Sequence, residues 1–177
     1  MNDAERSGAT DAAPEGPATA TLLRTATVDD SATLAEFRYA MFRDMHPEED
    51  YSPIRAAIVS GSEAYYRKHA LDPDCVTIVA QAESGLVGCA SLIIEERPPH
   101  VKRLRNISGY IHNVYVQPEV RGRGIARSLM ERIGQEAAAR GVARLALHAS
   151  SFGMPLYRSL GYAPNPAYLE LDLRDER

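Results

Sequence analysis

Residues 113–130 read NVYVQPEVRGRGIARSLM: a β-branched run stops at Pro118, passes through Gly122 and Gly124, and becomes a helix without a spacer. No other stretch constrains the chain as much. Val114 and Val116 favour an extended backbone. Ile125, Leu129 and Ile133 recur every four residues and set one apolar stripe on a helix. A strand must therefore run almost directly into a helix start. Glycine loses more backbone entropy on ordering than any other residue. Two of them at the junction imply a backbone that has to turn sharply, or one that something must approach closely.

The flanking elements make a mixed α/β domain. Residues 21–27 alternate as a first strand, and Asp29 and Asp30 open a helix carrying Leu34, Phe37, Met41 and Met45, which Pro47 ends. A second helical stretch over 53–71 is interrupted by Gly61. Residues 75–82 and 86–95 read as two strands of a hairpin, joined through Glu83, Ser84 and Gly85. A basic loop over 97–106 leads to a strand over 107–117. Beyond the junction helix, Gly141 supplies a C-cap and 142–149 is a compact apolar strand. Phe152, Leu156 and Leu160 mark a short helix with Pro155 in its first turn. Tyr162 and residues 167–173 are expected to finish the sheet. The helix between 107–117 and 142–149 predicts that these two strands run parallel.

Along 107–117 the apolar positions change phase. Ile107, Gly109 and Ile111 are odd, whereas Val114 and Val116 are even. A strand keeps both sets on one face only if an extra residue intervenes, so a bulge is expected near His112 and Asn113. A strand buried on both faces is the other reading.

At 177 residues, with 45% apolar and 25% charged residues, the chain fits one soluble domain. Residues 1–20, rich in Ala, Gly, Pro and Thr without apolar periodicity, are read as a disordered tail and 21–177 as the domain. The tail carries −3 of the formal −4 charge, which leaves −1 for the rest. That balance gives no argument for nucleic acid or an anionic membrane as partner. No apolar run approaches the roughly 18 residues of a membrane span, and the N-terminus does not read as a signal peptide. Cys75 and Cys89 both sit in apolar runs, which predicts reduced core thiols in a cytoplasmic protein and no metal centre.

A helix that starts straight off a strand presents N–H groups with no intrahelical partner, and its dipole adds positive potential. That is an anion site, and glycines let a phosphate reach the backbone. No lysine and hydroxyl follow Gly124, so this is not the nucleotide phosphate loop; a third glycine is missing for the dinucleotide fingerprint. A turn with glycines for tight packing stays open beside the favoured diphosphate site.

Arg121-Gly122-Arg123-Gly124-Ile125-Ala126 resembles the Arg/Gln-x-x-Gly-x-Gly/Ala signature of the GNAT superfamily of acyl-CoA-dependent N-acetyltransferases. Residues 156–162, LYRSLGY, are similar to the family's Leu-Tyr-x-x-x-Gly-Phe/Tyr element. The similarity covers about Thr21 to Leu173 and is strongest from Tyr110 to Tyr162. It implies a mixed, mostly antiparallel seven-stranded sheet, splayed between strands 4 and 5 and flanked by about four helices. Acetyl-CoA would enter the gap as cosubstrate, and the acetyl group would pass to an amine by direct attack.

The resemblance also implies roles for residues. The backbone of Val114, Tyr115 and Val116 would hold the pantetheine and the thioester oxygen. The amides of Gly122, Gly124, Ile125 and Ala126, with Arg121, Arg123 and Arg127, would hold the pyrophosphate. Ser150 stands where many relatives carry asparagine against the pantetheine arm, and either substitutes for it or caps the short helix. Tyr157 would contact the donor and protonate the departing sulfur. The glutamate that many relatives carry on the fourth strand is absent, which leaves His112, Glu95 or Glu96, or a water chain as base. Arg38, Tyr39, Phe42, Tyr65 and Tyr66 belong to the two helices expected to form the acceptor pocket. The loop with Arg97, His100, Lys102, Arg103 and Arg105 is a solvated loop or attracts an anionic acceptor. A small-molecule amine is the expected partner, and a homodimer is open because relatives often dimerise. The alternative is a non-catalytic acyl-CoA-binding sensor or scaffold.

Overall fold

The computed structural model describes residues 21–102 and 104–171. Among them five strands and four helices follow in the order β1 (Leu22–Thr25), α1 (Ser31–Met45), α2 (Arg55–His69), β2 (Cys75–Ala82), β3 (Gly85–Arg97), β4 (Asn106–Val116), α3 (Ile125–Ala139), β5 (Arg144–Leu147) and α4 (Met154–Ser159). The strands lie in one sheet in sequence order, β1-β2-β3-β4-β5. The first four run antiparallel, and β5 lies parallel to β4, as the intervening helix α3 predicts. The start of α1 is pinned to β1 by charge. Arg24 forks onto Asp30 at 2.7 and 2.8 Å, and Asp30 Oδ2 also accepts the Thr27 N–H at 2.7 Å. The Arg24 guanidinium holds the Asp30 carboxyl below the usual range.

Both faces of the sheet are covered. On one, Leu129 and Ile133 of α3 pack against Ile78, Leu92 and Ile111. On the other, Leu34 and Phe37 of α1 and Tyr66 of α2 pack against Val79, Cys89 and Tyr115. The seam between these cores is the bulge that the phase change predicts. Ala90 of β3 alone faces both Asn113 and Val114, because the register steps from Cys89↔Tyr115 to Ser91↔His112. Asn113, at the bulge, takes φ 51°, a left-handed value that asparagine tolerates better than most residues. Ile111, Val114 and Val116 consequently share one core, while Tyr115 turns to the other. The Cys89 thiol donates to the Asn113 carbonyl at 3.3 Å, and Asn113 Nδ2 donates to Cys89 Sγ at 3.4 Å, so a buried thiol holds the bulge.

Among the described residues the expected sixth and seventh strands are absent, and the sheet has five. Residues 162–171 contain no strand, and Leu169 and Leu171 are 91% and 80% exposed. An alternating pattern needs a partner edge to become a strand, and Pro164 and Pro166 remove two N–H donors from the approach to it. Residues 172–173 of that expected strand, and the tail over 1–20, lie outside the described residues. Among the described residues no helix is long and apolar enough to cross a membrane.

Candidate functional site

Strand β4 outruns β5. Their pairing covers Ser108↔Arg144 to Ile111↔Leu147, and the remaining stretch of β4, through the bulge to Val116, has no strand on that side among the described residues. Its backbone polar groups face a cleft of about 1450 Å³, open enough for a ligand of cofactor size. Asn113, Val114, Tyr115 and Val116 line the cleft. Asn113 is buried, and its Oδ1 has no hydrogen-bond partner among the described residues. That oxygen is enclosed by protein rather than open to the cleft, so its missing hydrogen bond is a cost carried by the bulge.

The glycine junction stands at the same cleft, because Arg121 and Ala126, on either side of it, both line the wall. Gly122 and Gly124 take φ 78° and 80°, and an added Cβ would meet nothing within 4 Å at either position. Handedness, not crowding, calls for glycine here. The first turn of α3 is bare: the first backbone bond goes from Ser128 N–H to Gly124 O at 3.0 Å, so the amides of Ile125 to Arg127 precede the ladder. Among the expected anion-site side chains, Arg121 is drawn away. Its Nε donates to Val116 O at 2.9 Å, and its Nη2 is paired with Asp44 of α1. Arg127 donates to Ser159 Oγ at 2.7 Å, and Arg123 reaches the Glu119 carbonyl at 3.4 Å. Backbone amides rather than guanidinium groups are therefore what this turn offers first.

Tyr157 projects from α4 into the cleft, 8% exposed, with its ring edge-on to Tyr162 at 5.9 Å. Burial raises its pKa above the ordinary value of 10, so the hydroxyl keeps its proton throughout the physiological range. Gly153 seats the ring: a Cβ there would lie 2.6 Å from Tyr157 Cε2. Ser150 Oγ accepts the Gly153 N–H at 3.1 Å in the turn that leads into α4, which leaves the hydroxyl proton free to donate.

Two imidazoles share the cleft. His112 packs edge-on to Tyr65 at 6.1 Å, and burial together with the Arg38 charge pushes its pKa down to about 4. It is uncharged at neutral pH. His148 stands just past the end of β5, where the strands part, and its side chain is 63% exposed. Its Nδ1 is 2.6 Å from the Tyr110 hydroxyl, and its Nε2 is 3.8 Å from Glu170. Of the expected acceptor-pocket residues, Arg38, Phe42, Tyr65 and Tyr66 line the cleft, and Tyr39 does not. Glu95 and Glu96 lie away from it, Glu95 paired with Arg97 at 2.7 Å. Sequence reasoning placed Asn113 at the bulge alone, passed over Gly153 and read His148, at a strand end, as structural. For Asn113 the phase change carried the signal; the other two depend on contacts that no local pattern encodes. Outside the cleft, His69, Asp72 and Cys75 bring ligand atoms within 4.8 Å of one another. These atoms already serve each other, with His69 Nδ1 at 3.0 Å from Asp72 and 3.6 Å from Cys75, and burial pushes the thiol's pKa up, away from the thiolate a metal needs.

The sequence pattern of the acetyltransferase (GNAT) domain matches residues 73–164. A glucosamine 6-phosphate N-acetyltransferase of Trypanosoma brucei brucei is 30% identical over 93 residues, which cover 52% of this chain and 61% of that protein. The match thus spans less than two thirds of that relative. An IAA acetyltransferase of Azospirillum brasilense is 30% identical over 131 residues, 63% of this chain and 80% of its own length. Among solved structures, a predicted acetyltransferase from Clostridium acetobutylicum with acetyl-CoA superposes with a TM-score of 0.76 at 26% identity, covering 87% of this chain and 97% of that one.

Proposed function

The chain belongs to the GNAT acetyltransferase family, and from that premise we propose that it transfers an acetyl group from acetyl-CoA to a primary amine of a small molecule. The observation that carries this reading is a single cleft bordered by a bare helix start, an unpaired strand edge and a protonated tyrosine. Acetyl-CoA supplies an acetyl group activated as a thioester. The amides of Gly122 to Ala126 hold the paired phosphates, with Arg121, Arg123 and Arg127 adding positive potential. The backbone of Val114 to Val116 holds the pantetheine arm, and Ser150 donates its hydroxyl proton to the same arm. Tyr157 gives its proton to the leaving sulfur.

The amine has to lose a proton, and we assign its acceptance to His148, which is open to the cleft and flanked by Tyr110 and Glu170. His112, whose protonated form is stable only below about pH 4, instead lines the acceptor arm as an uncharged donor or acceptor of hydrogen bonds. A small molecule fits a cleft closed in by α1 and α2, and the names of the two curated relatives point the same way. The unit acts within 21–177 in this reading.

The test is thiol release from acetyl-CoA over chemically diverse amines, with mass detection of the product. Amine-dependent release is expected; saturable acetyl-CoA binding without any release would favour a sensor instead. In the same assay His148→Gln lowers kcat on the order of 10-fold, because water and the Tyr110 hydroxyl still carry part of the proton. An unaltered pH profile and rate in that variant would remove the assignment.

The glycine turn yields a second expectation. A β-branched residue at φ 80° is strained by about 1–2 kcal/mol, and relief of that strain reshapes the turn. Gly124→Val therefore weakens acetyl-CoA binding about 10-fold in calorimetry. Equal affinity in the variant would show that the phosphates sit elsewhere.

A further inference from the structure

The charged side chains lining the cleft are unbalanced. They include three arginines, Arg38, Arg43 and Arg121, against one acid, Asp44. Asp44 is committed: Arg121 is paired to it, and Arg43 lies at 4.0 Å. Glu170 lies 3.8 Å from His148 Nε2 and faces that ring. Arg38 is left half-buried in the wall, with no carboxylate among the described residues within ion-pair distance. Its guanidinium carbon sits 4.9 Å from the Phe42 ring centroid, which fixes the plane of the fork. Its charge reaches the functional end of the arm, lowering the pKa of His112 and acting on the hydroxyls of Tyr65, Tyr66 and Tyr110.

A partly desolvated cation without a counter-ion is unfavourable unless a ligand provides one. The donor's phosphates are badly placed for that. Arg38 lies six residues before Asp44 on α1, about 9 Å along the helix axis, whereas Arg121, at the glycine junction, is bound to Asp44 itself. A planar fork held by stacking matches a carboxylate or a phosphate bidentately.

We propose that Arg38 is the anchor for an anionic group on the acceptor, so that the substrate is an amine bearing a carboxylate or a phosphate. This rests on the acetyl-transfer reading of the same cleft. The anion docks at Arg38, and the amine points towards His148, with Tyr110 between them. The aromatic wall of Phe42, Tyr65 and His112 takes the apolar body of the acceptor.

Matched pairs test this: phenylalanine against phenethylamine and tyrosine against tyramine for the carboxylate; phosphoethanolamine against ethanolamine and glucosamine 6-phosphate against glucosamine for the phosphate. In whichever pairs turn over, the anionic member is expected to have a KM at least 10-fold lower than its neutral partner. Arg38→Gln collapses that ratio towards one, and Arg38→Lys restores part of it. The pair with the larger ratio tells carboxylate from phosphate. Equal KM values in the wild type, or a ratio that survives Arg38→Gln, overturn the proposal. If no pair releases thiol, the acetyl-transfer reading is what fails, and the anion site is read without turnover. The Arg38 side-chain N–H resonance, assigned by its loss in Arg38→Gln, is followed while benzoate or phenyl phosphate is titrated in. A saturable shift supports the anchor; no shift with either anion overturns it.

Discussion

Replacing Tyr157 with phenylalanine lowers kcat for acetyl transfer about 100-fold and leaves acetyl-CoA affinity within a few fold. The magnitude follows from removing one positioned proton donor, whose contribution runs from about 100-fold upwards. The selectivity follows from the packing. The ring of residue 157 is held by the apolar core, by the edge contact with Tyr162 at 5.9 Å and by the close seat at Gly153, and phenylalanine keeps all three. Only the hydroxyl is lost, so the departing thiolate must leave without a proton. Because burial raises the tyrosine's pKa above 10, the wild-type donor stays charged with its proton across the whole working range. The wild-type rate accordingly shows no decline between pH 7 and 9 from this group. Thiol release gives kcat, and calorimetry gives the affinity. A variant rate within threefold of wild type would falsify the role; a matching loss of affinity would make Tyr157 a binding residue.

What could be read from the sequence, and what could not, divides along physical lines. The bulge was legible because burial on a strand has period two, so Ile111 and Val114 can share a core only if one residue is added between them. The glycine junction was legible because left-handed φ values at 122 and 124 leave few other residue types acceptable. Both signals are local. The end of the sheet was misread for the converse reason: alternation at 167–173 reports which residues could form a strand, while a strand exists only where another edge receives it. The site shows the same division. Tyr157 was singled out by the resemblance of residues 156–162 to a family element, and its ring does line the cleft. Arg121 was expected on the phosphates, yet its guanidinium pairs with Asp44, 77 residues away in sequence. The Tyr110–His148 contact spans 38 residues and depends on the parallel register of β4 and β5. Charges find their partners only after folding, so residue type and spacing gave the chemistry available without showing which arginine of the cleft wall would lack an ion pair among the described residues.

Arg38, without an ion pair among the described residues, also shapes the acid response of the fold. Acidification from pH 6.5 towards 4 is expected to destabilise the protein by up to about 3 kcal/mol through His112 alone. In the unfolded chain this histidine takes a proton near pH 6.5. In the folded chain burial first, and the Arg38 charge second, push that event down to about 4. Between the two values the unfolded state binds a proton that the folded state refuses, so stability falls as pH falls and levels off below about 4. The carboxyls held low by their partners, Asp30 by Arg24 and Glu136 by Arg140 and Arg132, lose their stabilisation as pH falls through their own lower range. Their unfolded values near 4 keep that loss largely out of the window from 6.5 to 4.5. Urea unfolding at pH 7, 5.5 and 4.5 reads the slope. His112→Gln fills a similar volume without titrating and should flatten it, whereas Arg38→Gln should reduce it by the smaller share that the arginine contributes. An identical slope in wild type and His112→Gln would mean that His112 is protonated in the folded protein at ordinary cost. An uncharged His112 could then no longer be used to assign the amine's proton to His148.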